Sequence, residues 1–341
     1  MGFYTGKKVL ITGGTGTIGQ HLVRRLLQDK PAVIRVFSRD EHKQFEMQQS
    51  LRKYNNIRYL IGDVRDANRL NRAMEGIDYV FHLAAMKHVP ACEYNPFEAV
   101  QTNVVGTQNV IQSAIVNNVR KVLFTSSDKA ISPTNTYGAT KLMGERLISA
   151  AEYQKGPKST IFASVRFGNV MGSRGSVIPL FKRQILECGK ITVTNRNMIR
   201  YMMTPSQAIQ LLLEANHISK GGEVFVLKMP LVKLSDLYEV VIEEISIRHA
   251  ISRKVMIEEV GLRPGEKLQE ELMTIDELNK VIETKYMYII PPAFGNTGRN
   301  YQPAIYQGQL LLDEISYTPD EIISKEKLRR WLIHEKLVEE A

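Results

Sequence analysis

Short apolar runs alternate with amphipathic stretches through the first half of the chain. Residues 9–12 (Val-Leu-Ile-Thr) form a compact apolar strand, and Leu22, Val23, Leu26 and Leu27 then recur at helical spacing. Apolar strands return at 33–37, 57–61, 79–83, 121–125 and 160–165, with helical segments between them. The longest helix is expected from about 96 to 118. There Ala99, Val100, Asn103, Val104, Thr107, Val110, Ile111 and Ala114 keep one face toward a sheet. Strand–helix alternation of this kind predicts an α/β fold with a doubly wound parallel Rossmann sheet, right-handed connections, and ligands at the carboxyl ends of the strands. A second apolar face on the 96–118 helix, and on the helix after Tyr137, would suit a helix bundle between subunits. A homo-oligomer is therefore expected, a dimer or a hexamer built from dimers.

Past residue 170 the alternation loosens. The reading is a dinucleotide-binding domain over 1–170, to which 200–228 returns through a helix (205–217) and a strand (224–227). Residues 171–199 and 229–341 form a smaller C-terminal α/β substrate domain and tail. A helix is expected at 177–186, a turn-rich tail from about Pro291, and a closing helix near 319–337.

The first strand enters Gly13-Gly14-Thr15-Gly16-Thr17-Ile18-Gly19, and a helix follows. Glycines there allow a tight turn and close approach of a pyrophosphate to the helix N-terminus. The second strand ends at Ser38-Arg39-Asp40. An acidic residue at this place would take a ribose diol. A hydroxyl and an arginine, with Lys43 nearby, suit a 2′-phosphate, so NADP is favoured over NAD. Asp63, with the neighbouring Val64 N–H, suits an adenine edge, or else Asp63 caps the next helix. Ala84 and Ala85 are small enough for a flat ring to lie against the backbone. Lys87 and His88 stand at the same sheet edge. Arg200, Arg263 and Glu266 are candidates for phosphate and sugar hydroxyls, or else surface salt bridges.

The strand at 121–125 ends in Ser126-Ser127-Asp128-Lys129, and Tyr137 and Lys141 follow one helical turn apart. An ammonium beside a phenol is expected to lower the phenol's pKa and favour proton removal from an alcohol.

Composition narrows the reading. The 341 residues are 43% hydrophobic and 24% charged, as in ordinary globular proteins. The net charge of +9 is spread without a block or arm, so nucleic acid is not expected as a partner. A polyanionic substrate and a phosphorylated cofactor fit the excess. Cys92 and Cys188 are too few for a disulfide scaffold or a zinc site, and no metal is expected. With no apolar signal region and no membrane-length apolar run, a cytoplasmic location is expected.

Together these motifs resemble the extended short-chain dehydrogenase/reductases. Within them the chain looks like the soluble UDP-N-acetylglucosamine 4,6-dehydratases, most closely the C5-inverting kind of the pseudaminic acid pathway. The resemblance rests on 11–16, 38–41, 61–66, Lys87-His88-Val89-Pro90, Ser127-Asp128-Lys129-Ala130, Tyr137-Gly138-Ala139-Thr140-Lys141, 168–170, 172–177 and Arg263-Pro264-Gly265-Glu266-Lys267. It departs at Ser127, Ile18, Met202-Met203-Thr204 and Gln269. The resemblance implies NADP, a UDP-sugar substrate, and catalysis by Asp128, Lys129, Tyr137 and Lys141. It adds Asn103 and Ser126 to the cofactor contacts. It places Lys87, Ser127, Asn169, Arg174, Val177, Arg200, Arg263 and Glu266 around the substrate. Transient oxidation at C4 makes the C5 proton acidic. A protonated Asp128 is then expected to release O6 and a neutral Lys129 to take the C5 proton, with Asp128 shifted up and Lys129 shifted down by burial. A UDP-hexose 4-epimerase, which needs only Tyr137 and Lys141, and a C5-retaining dehydratase are the alternatives.

Overall fold

The computed structural model describes residues 2–292, 306, 309–310 and 322–339. The first half follows the expected order: β1 (Lys8–Thr12), α1 (Thr17–Gln28), β2 (Val33–Ser38), α2 (Glu41–Ser50), β3 (Ile57–Ile61), α3 (Ala67–Met74) and β4 (Tyr79–His82). Next come α4 (Val89–Tyr94), α5 (Pro96–Val100) and α6 (Gly106–Val116). The single long helix expected at 96–118 is thus α5 and α6 joined through a π-helical turn, Gln101–Val105. Then follow β5 (Lys121–Ser127), a 3-10 turn at Asp128–Ala130, α7 (Thr136–Gln154) and β6 (Ile161–Phe167). Apolar positions along these strands face helices on both sides. Val9, Ile11, Leu22 and Ile34 belong to one buried layer, and Leu10, Val80, Val110 and Ile148 to the other.

The second half continues with β7 (Asn169–Val170), α8 (Val177–Cys188), β8 (Lys190–Val193), β9 (Ile199–Met203), α9 (Pro205–Ile218), β10 (Val224–Leu227), β11 (Leu231–Lys233) and α10 (Leu234–Arg248). It ends with β12 (Met256–Glu259), α11 (Ile275–Leu278), β13 (Ile282–Glu283), β14 (Met287–Ile290), β15 (Gln309–Leu310) and α12 (Lys325–His334). The large sheet runs β15-β13-β14-β10-β6-β5-β4-β1-β2-β3. It is parallel from β3 to β10, and β14 joins β10 antiparallel. This is a doubly wound α/β sheet. β10 pairs with β6 within it, and α9 packs against β5 and β6.

The expected domain division needs one change. Residues 282–290 add to the edge of the large sheet rather than staying with the small domain, because they cover the otherwise free edge of β10. The small domain is built from α8, β8, α10 and α12 around Ile178, Phe181, Leu237 and Leu328. Pro319, where the closing helix was expected to start, and most of the expected turn-rich tail lie outside the described residues.

One buried side chain joins these parts. Arg166, on β6, is fully buried, and its guanidinium donates to both carboxylate oxygens of Glu145 on α7 at 3.0 and 2.8 Å. It also donates to both oxygens of Glu277 on α11 and to the Leu272 carbonyl, at 2.9 to 3.0 Å. All five N–H groups of the fork are engaged. Removing one carboxylate leaves the cation short of charge in a dry interior. Glu145→Ala is therefore expected to cost about 3–5 kcal/mol of stability, read by urea denaturation; a loss under about 1 kcal/mol would show that the pair is not held as drawn.

Candidate active site

The glycine loop owes its shape to contact with the segment that follows β4. Gly13 sits at φ +69°, and a Cβ there would lie 2.7 Å from the Ala84 nitrogen. Gly16 heads α1 with no side-chain cap among the described residues, which leaves the positive end of that helix to the cleft. A cleft of about 500 Å³ opens above this end. It is lined by Gly13, Thr15, Gly16, Thr17, Ile18 and Gly19, and by Ser38, Arg39, Lys43, Asp63, Val64, Ala84, Ala85 and Lys87, all expected from the sequence. Its volume and lining suit a dinucleotide. Arg39 is exposed and lies 3.6 Å from Asp63, whose carboxylate also pairs with Arg65 at 2.7 Å. Burial works against the charged form of Asp63, but the arginine contacts prevail and hold it below its usual value. Lys43 pairs with Asp40.

Asn103 stands elsewhere. It is buried behind the cleft wall, where its amide bonds both backbone groups of Met86 (2.8 and 2.9 Å) and the Thr140 hydroxyl (3.0 Å). It fixes the loop after β4 from behind and is not among the lining residues.

A second hollow of about 280 Å³ holds Ser126, Ser127, Lys129, Tyr137, Lys141 and Asn169. A third, about 300 Å³, runs on past Lys129 and Asn169 to Val177, Arg200, Arg263 and Glu266. Lys87, His88 and Ser173 border all three. Arg174, expected at the substrate, lines the dinucleotide cleft instead; its backbone N–H donates to the Thr17 hydroxyl at 3.0 Å. Arg200 is buried, and its guanidinium is spent on the carbonyls of Ile199, Lys267 and Leu268 at 2.7 to 2.9 Å. It shapes the loop that carries Arg263 and Glu266 instead of presenting a free fork.

Asp128 and Lys129 occupy the 3-10 turn that ends β5. Asp128 Oδ1 accepts from the Ser127 hydroxyl (2.8 Å), the Lys129 backbone N–H (2.9 Å) and Lys129 Nζ (3.1 Å). Its Oδ2 is buried with no hydrogen-bond partner among the described residues. Helix α7 presses on this turn at Gly138, where a Cβ would stand 2.0 Å from the Lys129 carbonyl oxygen.

The expected pKa directions change here. Burial alone would push the Lys129 ammonium down, but Asp128 and a second carboxylate, Glu270 at 3.6 Å, outweigh it and raise the value. Sequence reasoning missed Glu270, which is 4% exposed, because nothing in Gln269-Glu270-Glu271 says which acid turns inward. The Tyr137 phenol is also shifted opposite to expectation. Burial pushes it up to about 12, against the pull of the Ser127 hydrogen bond and the Lys129 charge. Lys141 does not lower it: burial drives Lys141 itself down to about 7, and its amine donates to the Thr125 carbonyl at 2.7 Å.

The family model described as "Polysaccharide biosynthesis protein" matches residues 9–292. An uncharacterized membrane protein of Methanocaldococcus jannaschii is 45% identical, over 97% of this chain and 96% of its own. The UDP-N-acetylglucosamine 4,6-dehydratase (inverting) of Campylobacter jejuni strain 81-176 is 40% identical, over 93% of each. A UDP-glucose 4-epimerase of Rickettsia typhi is 37% identical, over 95% of this chain and 94% of its own. Among solved structures, that of Pen from Bacillus thuringiensis superposes with a TM-score of 0.89 at 55% identity, covering 98% of this chain and 99% of the other. Among the described residues, no helix is long and apolar enough to cross a membrane.

The depressed Lys141 gives a signed pH prediction. From about pH 7 up to the ordinary lysine range, the unfolded chain holds this proton and the folded chain does not, so stability rises with pH across that window. Lys141→Met is expected to melt higher than the parent near pH 7, with the gap closing toward about pH 10 in thermal melts. A gap that stays constant with pH would contradict the assignment.

Proposed function

The chain belongs to the polysaccharide biosynthesis protein family, and from that premise we propose that it is an NADP-dependent UDP-N-acetylglucosamine 4,6-dehydratase that inverts C5. The observation that carries this reading is the Asp128–Lys129 pair beside Tyr137, at the junction of the dinucleotide cleft and the third hollow. An epimerase has to oxidise and reduce one alcohol and has no use for a second acid and base. The similarity to dehydratases at about 40% identity supports the same choice. The product would be a UDP-4-keto-6-deoxy sugar feeding a surface glycan or a nonulosonic acid such as pseudaminic acid, and the enzyme would work in the cytoplasm.

The nicotinamide, when bound, supplies a reversible hydride acceptor. The protein's own groups hold and move protons. Tyr137, hydrogen-bonded to Ser127, takes the proton of the sugar O4. Tyr137 has to be a phenolate to accept that proton; burial makes the phenolate costly, and the Ser127 hydrogen bond and the Lys129 charge offset part of the cost. Lys129 takes the C5 proton. The unpartnered Oδ2 of Asp128 carries the proton given to the departing O6. Arg39 and Ser38, at the end of β2, suit the 2′-phosphate of NADP. Lys87, Asn169, Val177, Arg263 and Glu266 surround the UDP-sugar.

The second reading, a 4-epimerase, is favoured by the Rickettsia relatives. Incubation with UDP-N-acetylglucosamine separates the two. A dehydratase yields a product lighter by one water, with deuterium at C5 when the reaction runs in D2O, whereas an epimerase conserves mass. Lys129→Ala is expected to abolish water loss while NADP binding stays within about threefold; normal turnover would remove Lys129 from the mechanism.

The expected oligomer also belongs to this proposal. Tyr94 and Phe97, at α4 and α5, are 87% and 67% exposed, and Met143 on α7 is half exposed. Apolar side chains left open on neighbouring helices suit a subunit interface. Phe97→Asp is expected to lower the mass in light scattering to that of one chain. A parent protein that is already monomeric would contradict this interface.

A further inference from the structure

We propose that Glu270 is a positioning residue for Lys129: its carboxylate, brought in from a distant loop, forms with Asp128 a two-sided clamp that fixes the amine over the substrate pocket and governs when it releases its proton. This inference rests on the dehydratase reading of the site.

The geometry carries it. Lys129 Nζ lies 3.1 Å from Asp128 Oδ1 and 3.6 Å from Glu270 Oε1, and 3.4 Å from the Asn169 amide oxygen. Glu270 and Lys129 line the same hollow, the one that also holds Arg263 and Glu266. Glu270 is buried, with no backbone hydrogen bond to its carboxylate among the described residues, and burial pushes its carboxyl up against the pull of the cations around it. A buried carboxylate without backbone donors has to be matched by cations. Those facing it are Lys129 from the turn after β5, Arg200 from β9, and Lys267 from its own loop, with Asp128 as the opposing like charge. Lys129 in turn faces Asp128, Glu270 and the Tyr137 phenol.

The loop does not drift into this place. On one side of Glu270, Arg200 bonds the carbonyls of Lys267 and Leu268, each at 2.7 Å. On the other side, Arg166 bonds the Leu272 carbonyl at 2.9 Å and the carboxylate of Glu277. Further back, the Gly265 carbonyl accepts from the Thr134 hydroxyl and the Asn135 amide, both at 2.9 Å, just ahead of α7. Two buried arginines thus pin the backbone two residues to either side of Glu270. Between them they aim one carboxylate at an amine that the sequence places 141 positions away. Glu271 is exposed and takes no part.

The consequence concerns the proton. A base at C5 has to be a neutral amine, and two flanking carboxylates delay that state to higher pH. Neutralising one of them without changing its shape advances it. The test compares the parent with Glu270→Gln and, as control, Glu271→Gln, by acetylating the folded protein at a series of pH values and reading Lys129 by peptide mass spectrometry. Only the neutral amine reacts. The midpoint is expected to fall by about one pH unit in Glu270→Gln, to stay put in Glu271→Gln, and to take an intermediate value in Glu270→Asp. An unmoved midpoint in Glu270→Gln overturns the clamp. Activity gives a second readout: the ascending limb of kcat against pH should move the same way, with KM for the UDP-sugar within about threefold. A merely structural Glu270 would lower kcat at every pH without moving the limb. Should the parent release no dehydrated product, the functional reading fails, while the labelling midpoint still decides the clamp.

Discussion

The molecule turns on the burial of one cation. Arg166 stands on a central strand, wholly inside, and its charge is acceptable only because two carboxylates and a carbonyl meet all of its donors. Its partners come from α7, which carries Tyr137 and Lys141, and from the segment that carries Glu270 and Glu277. Through its own strand it leads to Asn169. An apolar residue at 166 would satisfy packing but would leave these pieces with no shared reference. The arginine fork sets direction as well as distance, because a planar pair of bidentate contacts fixes angles that apolar packing leaves free.

The same principle, charge held in a dry place by opposing charge, shapes the site. Lys141 is buried and Lys129 half-buried in one hollow with Tyr137, and their shifts run in opposite directions. Lys141 lies over the Phe124 ring and against a carbonyl, with a carboxylate only as a weaker influence, so burial prevails. Lys129 has a carboxylate on each side, so charge prevails. One amine is pushed toward its neutral form and the other toward its charged form, so the neighbours of each lysine, and not burial alone, set the two apart.

Much of this was legible in the sequence. The strand–helix alternation, the glycine loop, the Asp128–Lys129 turn and the Tyr137–Lys141 spacing all depend on neighbours within a few positions, and each fell where its local pattern put it. What was missed depends on partners far along the chain. Arg200 read as a phosphate ligand because a sequence cannot show that the Lys267 and Leu268 carbonyls take its donors. Asn103, which the resemblance put among the cofactor contacts, lies in the π-helical turn and spends its amide on the Met86 backbone, a contact that no local pattern shows. The direction of the Lys129 shift was inverted for the same reason: Asp128 is adjacent, whereas Glu270 belongs to another region. The return of 282–290 to the large sheet is likewise a matter of covering an edge, which no local propensity announces.

The long span between Arg166 and its second carboxylate bears on how the chain is made. The two residues are 111 positions apart. As the protein leaves the ribosome, β6 and α7 emerge first, and Arg166 then has Glu145 but neither Glu277 nor the Leu272 carbonyl. Domains fold largely as they emerge, but the full set of partners of this arginine exists only once residue 277 has emerged. Its central strand waits for a segment from the last quarter of the message. A chain truncated before that segment would keep its glycine loop and its Asp128–Lys129 turn, and would lack Glu270 and both remaining partners of Arg166.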